Sequence, residues 1–134
     1  MRMLSFLSLL LALGVSCYAQ SQPATKAIRT KIEGTELDRR MLFSRLKTHG
    51  LDHHMNFELA ESDFDYRIVF STGQGTTETT WGELNSSFAS ADVFDPAGTE
   101  LFRFERKGRG RDEAACDAVA KEVIKRILKL NSLR

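Results

Sequence analysis

Residues 112–130 read DEAACDAVAKEVIKRILKL, and this stretch predicts the most regular helix of the chain. Its apolar residues recur at the spacing of a helical turn and form one broad stripe, which consists of Cys116, Val119, Ala120, Val123, Ile124, Ile127 and Leu130. Acidic residues begin the stretch and basic residues lie towards its end, as the helix dipole favours; they are Asp112 and Glu113, then Lys125, Arg126 and Lys129. A helix with one apolar stripe has to bury that stripe against another layer.

The apolar period changes to two in the middle of the chain. Over residues 64–70 apolar and mostly polar side chains alternate, which predicts a strand with one buried face, and a short strand is predicted at 57–59. Two more strands, at 88–95 and 99–105, flank a Pro-Ala-Gly turn. Residues 71–87 are rich in Gly, Thr and Ser, and they are predicted to form the polar connection of a long hairpin.

The N-terminal part of the domain supplies a further strand and a second helix. Residues 27–32 (AIRTKI) alternate like a strand. Thr35 is the predicted cap of a helix that ends at Gly50, and its apolar side is formed by Leu37, Met41, Leu42 and Leu46. We therefore expect an α+β fold, in which two helices pack on one face of a mostly antiparallel sheet of four to five strands.

The composition indicates one globular domain. The chain has 134 residues, of which 42% are hydrophobic, and 19 Lys and Arg residues stand against 18 Asp and Glu residues. This length excludes a long multidomain enzyme, and this apolar content excludes a disordered chain. A net charge of +1 gives no reason to expect nucleic acid as a partner. The domain is predicted to span residues 27–131.

The first residues predict export. Arg2 supplies a positive start, residues 4–15 form an apolar run, and Ala19 is a small residue suited to cleavage. We expect a signal peptide at 1–19 and a short tether at 20–26. No later stretch is apolar for long enough to span a membrane, so the mature chain is expected in the periplasm or at the outer membrane, with secretion as the further option.

Cys17 allows a second interpretation of the same signal. Residues 14–17 (GVSC) resemble the cleavage box of bacterial lipoproteins, in which the cysteine becomes the lipidated first residue. That box usually has leucine three places before the cysteine, where this chain has Gly14 and the leucine lies one place earlier. Cleavage after Ala19 and lipidation of Cys17 both stay open. If Cys17 is removed, Cys116 is the sole mature thiol, and its place on the apolar stripe predicts that it is buried and inert.

No known catalytic motif occurs in the chain. The signatures of serine hydrolases, zinc proteases, P-loop proteins, EF-hands and dinucleotide-binding proteins are all missing, so we expect a protein that is not an enzyme and has no cofactor or metal. His49, His53 and His54 lie close in sequence and are interpreted as residues of a solvated loop. A small hydrolase that uses His53 or His54 with Asp63 or Asp65 is the second alternative function. Both aspartates are predicted to lie on the solvent-facing side of one strand.

The segment 103–111 (RFERKGRGR) is the most distinctive charged feature. It has five basic residues among glycines and lies directly before a helix. Such a segment can hold an anionic group, and the candidate anion-binding residues are Arg106, Lys107, Arg109 and Arg111. The first alternative function is therefore a periplasmic protein that binds an anionic envelope polymer or a lipid headgroup through this segment.

Three segments resemble small exported α/β domains of the bacterial envelope, of the type seen in the N-terminal domain of the Tol translocation protein and in curli-secretion-like lipoproteins. Residues 61–68 (ESDFDYRI) resemble the acidic turn that enters their central strand. Residues 93–101 (VFDPAGTEL) resemble their hairpin, and 112–130 their closing helix. This resemblance spans about residues 27–130. It implies a role in envelope assembly through protein contacts, and it brings no catalytic residues.

Taken together, these features predict an exported bacterial envelope protein of unknown specific role. We expect it to act as a non-catalytic protein-binding or assembly module whose partner is another envelope protein. An edge strand of the sheet is the surface on which we expect a partner strand to add.

Overall fold

Seven elements follow one another in a computed structural model that describes residues 25–109 and 112–133. The strands are β1 (Lys26–Glu33), β2 (Met55–Leu59), β3 (Tyr66–Thr79), β4 (Gly82–Phe94) and β5 (Glu100–Arg109), and the helices are α1 (Glu36–Leu51) and α2 (Asp112–Ser132). This order of strands and helices is the one predicted from the sequence. The signal at 1–19 and most of the tether lie outside the described residues, and β1 begins one residue earlier than expected. No helix in the described part is long and apolar enough to cross a membrane.

The five strands form one sheet in the order β2-β1-β3-β4-β5, and its α+β class agrees with the prediction. The expected mostly antiparallel pairing is corrected to a mixed one. β2 and β3 both run parallel to β1, whereas β3, β4 and β5 pair antiparallel. The reason is a crossing at the middle of β1, where Leu59 at the end of β2 and Tyr66 at the start of β3 both pair with Thr30.

Both helices pack on one face of the sheet, as predicted. β1 sends Ile28, Thr30 and Ile32 into this face, whereas Arg29 between them is exposed. The largest fully buried side chains come from both layers and include Phe57, Phe70, Leu42, Leu46, Ile124 and Ile127. The alternation along the strands and the stripe on α2 therefore face each other and form one core.

The long hairpin differs from its prediction. Residues 71–87 do not form a loose connection, because β3 and β4 pair continuously from Arg67 opposite Phe94 to Thr79 opposite Gly82. Only two residues, Thr80 and Trp81, form the turn. Residues 78–85 are all exposed. With both faces of this part in water, its strands carry Thr, Ser and Asn on either side, so the period-two apolar signal is missing.

The start of α1 is fixed by a chain of hydrogen bonds. The Oγ1 atom of Thr35 accepts from the backbone N–H of Asp38 at 3.2 Å, so the predicted cap is confirmed. Asp38 is itself buried, and its carboxylate accepts from the Thr72 hydroxyl at 2.7 Å. Leu37 was expected on the apolar side of this helix, but it is 71% exposed because the buried side is set by Leu42 and Leu46.

Gly50 has a different role from the predicted one. It does not end α1, which continues to Leu51, and it is buried in the last turn. A Cβ atom at this position would lie 2.8 Å from both the carbonyl oxygen of Met55 and the ring of Phe57. The glycine therefore allows α1 to approach β2 more closely than any other residue would.

We predict that Gly50→Ala lowers the free energy of unfolding by about 1–3 kcal/mol, the usual cost of overpacking, although alanine favours helix more than glycine does. Urea unfolding measured by circular dichroism tests this. Gly75→Ala is the matched control, because the nearest atom to its Cβ would be the Ser86 hydroxyl at 3.7 Å. Equal stability of the two variants would show that the α1–β2 contact tolerates a methyl group.

Candidate functional site

Residues 103–109 of the predicted basic segment lie on β5, at one edge of the sheet. Arg106 forms an ion pair with Glu122 of α2 at 3.2 Å and lies over the ring of Phe104. Lys107 is exposed. The backbone of Arg109 pairs with Ser86, whereas its side chain and the whole of Arg111 lie outside the described part. Arg106 is therefore committed within the fold, and anion binding by the segment stays a prediction.

Glu122 is the carboxylate that neutralises this region. Arg126, one turn along α2, donates to it at 2.9 Å. That hydrogen bond, together with the charge of Arg106, holds the pKa of Glu122 below its ordinary value, although burial acts in the opposite direction. Arg126 also lies over the rings of Phe102 and Phe104. These contacts link β5 to α2. The charges of Arg106 and Arg126 are therefore paired within the fold.

The residues of the hydrolase alternative are not brought together. The backbone carbonyl of His54 accepts from Lys26 along the β2 side of β1. The carboxylate of Asp65 accepts from the backbone N–H of Arg29 at 2.9 Å along the β3 side. β1 thus stands between them. Asp63 and Asp65 precede β3 instead of lying on one strand, and Asp63 has a φ of 53° in the turn. The prediction that both aspartates lie on one strand is therefore wrong, because the strand begins only after the turn.

His49 separates from the other two histidines and joins a different group. Its Nε2 lies 2.5 Å from the Oδ1 of Asp117, so it links α1 to α2. Lys121 contacts the same carboxylate at 3.1 Å and Arg45 at 3.7 Å. Within residues 25–109 and 112–133, no three His, Cys, Asp or Glu residues are placed to hold a metal ion.

Asp117 is stabilised as a carboxylate by these neighbours. The hydrogen bond with His49 is the largest cause that holds its pKa below the ordinary value, and Lys121 adds to it, although burial acts in the opposite direction. A lowered carboxyl pKa means that the folded state favours the charged form. The contribution to stability is present at neutral pH and is lost as the pH falls through the acid range.

Cys116 is buried beside this group, as the sequence predicted. Burial raises the pKa of its thiol to about 12. The thiolate, which is the reactive form of cysteine, is therefore scarce at neutral pH, and the side chain serves the core. The other cysteine, Cys17, lies outside the described residues, so its lipidation stays a prediction.

The tip of the β3–β4 hairpin is the surface that the sequence interpretation did not select. Trp81 in the turn is 97% exposed, and Leu84 on β4 is 58% exposed. Phe88 is 36% exposed, and it lies with Leu84 on the side of the hairpin away from the helices, since the alternate residue Ala89 is buried beneath them. The signal for this surface was a single tryptophan in a stretch of Thr, Ser and Gly, where no core pattern needs one.

The ring of Phe88, at the root of this hairpin, occupies space that a glycine on the neighbouring strand leaves free. A Cβ atom at Gly73, which pairs with Phe88 across the ladder, would lie 2.2 Å from the ring. The ring therefore lies across the neighbouring strand. This arrangement places one aromatic group at the root, one leucine midway and one tryptophan at the tip, all partly or fully in solvent.

The fold is similar to that of bacterial lipoproteins. A minor lipoprotein from Acinetobacter baumannii has a TM-score of 0.50 at 11% identity, over 74% of this chain and 91% of that one. An uncharacterised lipoprotein B from Nitrosomonas europaea has a TM-score of 0.47 at 11% identity, over 83% and 90%. A PelC dodecamer from Paraburkholderia phytofirmans has a TM-score of 0.45 at 13% identity, over 81% and 92%.

At these identities the likeness shows the fold alone. No protein-family model matches the chain, and a search of curated proteins finds no significant match. The lipoprotein fold is consistent with the envelope type of domain to which the sequence was compared. The finer comparisons with the Tol and curli-secretion proteins stay predictions.

We predict that Asp117→Asn lowers the free energy of unfolding by about 1–2 kcal/mol at neutral pH, because a charged hydrogen bond and two ion pairs are lost from a partly exposed carboxylate. Urea unfolding at a series of decreasing pH values should show the difference from the wild type shrinking in the acid range, as the wild-type carboxyl also becomes protonated.

Glu36→Gln is the control for this substitution. Glu36 pairs with Arg40 one turn away on the exposed side of α1, so its loss should change the free energy by less than about 0.5 kcal/mol. If the effect of Asp117→Asn stayed constant with pH, the link between α1 and α2 would not be electrostatic.

Proposed function

We propose that this chain is an exported bacterial envelope protein that acts by binding another envelope protein through the tip of the β3–β4 hairpin. The observation that carries the proposal is the 97% exposure of Trp81. A tryptophan in water gives the fold no packing energy, yet it is among the side chains that contribute most when a partner buries them.

The geometry of the hairpin supports this use. The turn is tight. The Thr79 hydroxyl donates to the Gly82 carbonyl at 2.7 Å and accepts from the backbone N–H of Trp81 at 3.3 Å. The indole is thus presented on a defined backbone rather than on a loose loop. Polar Thr, Ser and Asn residues surround it, which is the arrangement of an apolar anchor with a polar rim.

The direction of the strands places this tip far from Lys26, where the chain enters the sheet. The chain enters the sheet at Lys26, four residues before the level at which Tyr66 begins β3. β3 then runs for 14 residues in the same direction as β1, which is roughly 45 Å at the rise of a strand. A tether on the N-terminal side would hold one end of the molecule and present Trp81 at the other.

The envelope location rests on the N-terminal sequence. The positive start, the apolar run of residues 4–15 and the small residues that follow predict export, and the lipoprotein fold is consistent with it. Protein binding is preferred to the hydrolase alternative because His54 and Asp65 lie along opposite edges of β1. It is preferred to anion binding by the basic segment because Arg106 is paired with Glu122.

We predict that a photoreactive amino acid at position 81, in the full precursor made in its own bacterium, crosslinks to one envelope protein in a repeatable way. The control is the same probe at position 37, because Leu37 is 71% exposed on α1 and lies at the root of the hairpin rather than at its tip: its neighbour Asp38 bonds to Thr72, seven residues before the end of β3. Mass spectrometry of the crosslinked material identifies the partner and reads the processed N-terminus of the chain.

Trp81→Ala should weaken binding of the purified partner by at least about 2 kcal/mol, or roughly thirtyfold, if the indole is the anchor. Its thermal stability should equal that of the wild type, since the side chain packs against little of the fold. Equal crosslinking at positions 81 and 37, or unchanged affinity of Trp81→Ala, would contradict the proposal.

A further inference from the structure

The end of the fold opposite the hairpin tip has its own chemistry. We call this end the base, and define it by the start of β1, the start of β5 and the last turns of α2. A notch of about 260 Å³ at the base brings Lys26, Pro96, Leu101 and Asn131 together. The chain that precedes residue 25 therefore leaves the fold beside the C-terminal end of α2.

Apolar side chains at the base are left uncovered. Leu133 is 78% exposed, and Leu101, Phe102 and Leu130 are only half-buried. These four side chains line a shallow groove of about 370 Å³ between β5 and α2. The groove is too open to hold a small molecule by enclosure, so it suits a surface that lies against it.

Lysines surround these apolar groups. Lys125 and Lys129 line the same groove, and Lys26 lies beside the notch; all three are exposed. None of them has a carboxylate within ion-pair distance among the residues that the structure describes. The carboxylates Asp65 and Asp95 line the notch and not the groove. The carboxylate that lines the groove, Glu122, is paired with Arg106 at 3.2 Å and with Arg126 at 2.9 Å.

We propose that the base lies on the surface of an anionic lipid bilayer, with Leu133 entering the headgroup region and Lys125 and Lys129 facing lipid phosphates. The occupant is chosen by two observations: the N-terminal segment, with its predicted export signal and candidate lipidation residue Cys17, precedes residue 25 at this end, and the exposed charges that line the groove, Lys125 and Lys129, are positive. This inference rests on the proposed export of the chain, and it uses different residues from the hairpin tip.

The physical reason for such a surface is that one membrane signal holds weakly. A single acyl chain gives only marginal and reversible binding, and stable attachment needs a second contribution. Each lysine near an anionic surface strengthens binding about fivefold. Lys125 and Lys129 together therefore contribute roughly 25-fold, and they also orient the molecule with Trp81 directed away from the bilayer.

The experiment uses the processed protein purified from the envelope of cells that express the full precursor. Its affinity is measured by sedimentation with vesicles of equimolar phosphatidylglycerol and phosphatidylcholine, and with vesicles of phosphatidylcholine alone. The ratio of the two affinities is the readout, because a lipidated N-terminus would insert into both kinds of vesicle and cancel in the ratio.

We expect the wild type to prefer the anionic vesicles and Lys125→Glu/Lys129→Glu to lose at least tenfold of that preference. The matched control is Arg40→Glu/Lys107→Glu, which changes the net charge equally at exposed cations near the start of α1 and near the end of β5, both distant from the base. Leu133→Ser should weaken binding to both kinds of vesicle. Circular dichroism verifies that each variant is folded.

Two results would overturn the inference. One is a wild-type protein with no preference for anionic vesicles. The other is an equal loss in both double variants, which would show that net charge or the segment around Lys107 decides binding. The proposed function has a separate readout, because the crosslinks of position 81 and the mass of the processed N-terminus do not depend on Lys125 and Lys129.

Discussion

Hydrogen bonding along both edges of β1 is the constraint on which the rest of the structure depends. On one edge the carbonyl of Thr30 accepts from Ala60 at 3.0 Å, and on the other the carbonyl of Arg29 accepts from Asp65 at 2.8 Å. The chain crosses β1 between these two bonds, so β3 continues in the direction in which β2 ran. The hairpin is thereby directed away from the end where the chain enters. The two helices pack on the face of β1 that carries Ile28, Thr30 and Ile32.

The helices and the α+β class could be predicted because burial leaves a period in the sequence. The stripe on α2 and the alternation around Ile68 each identify a buried face. The same period says nothing about which strand is the neighbour or in which direction it runs, so the expectation of a mostly antiparallel sheet could not be checked from the sequence. The parallel crossing depends on backbone bonds of Thr30 and Arg29, which any residue could make, and the side chains therefore carry no record of it.

The candidate surfaces were harder to predict, and for a related reason. Charge in a sequence does not show whether a carboxylate from another element lies beside it: Arg106 is paired by Glu122, 16 positions further along, whereas Lys125 and Lys129 are not paired within the described part. The hairpin itself was predicted, but the strand structure of residues 71–87 was not, because a ribbon exposed on both faces loses its apolar alternation. Trp81 was the one sequence signal of a binding surface at the hairpin, and the sequence alone did not predict where this side chain lies in the fold.

The hairpin separates the requirements of folding from those of binding. Its root is held to the sheet: Phe88 lies across Gly73, and the hydroxyls of Ser71 and Ser90 are 2.8 Å apart. Beyond the root the ladder and the bond from the Thr79 hydroxyl to the Gly82 carbonyl hold the two strands, and a two-stranded ribbon is marginal when it stands alone. Glu78 and Glu83 lie opposite each other near the tip, which weakens the pair further. The fold thus neither gains from Trp81 nor needs it, so the residues at the tip can change with the partner while the core stays intact.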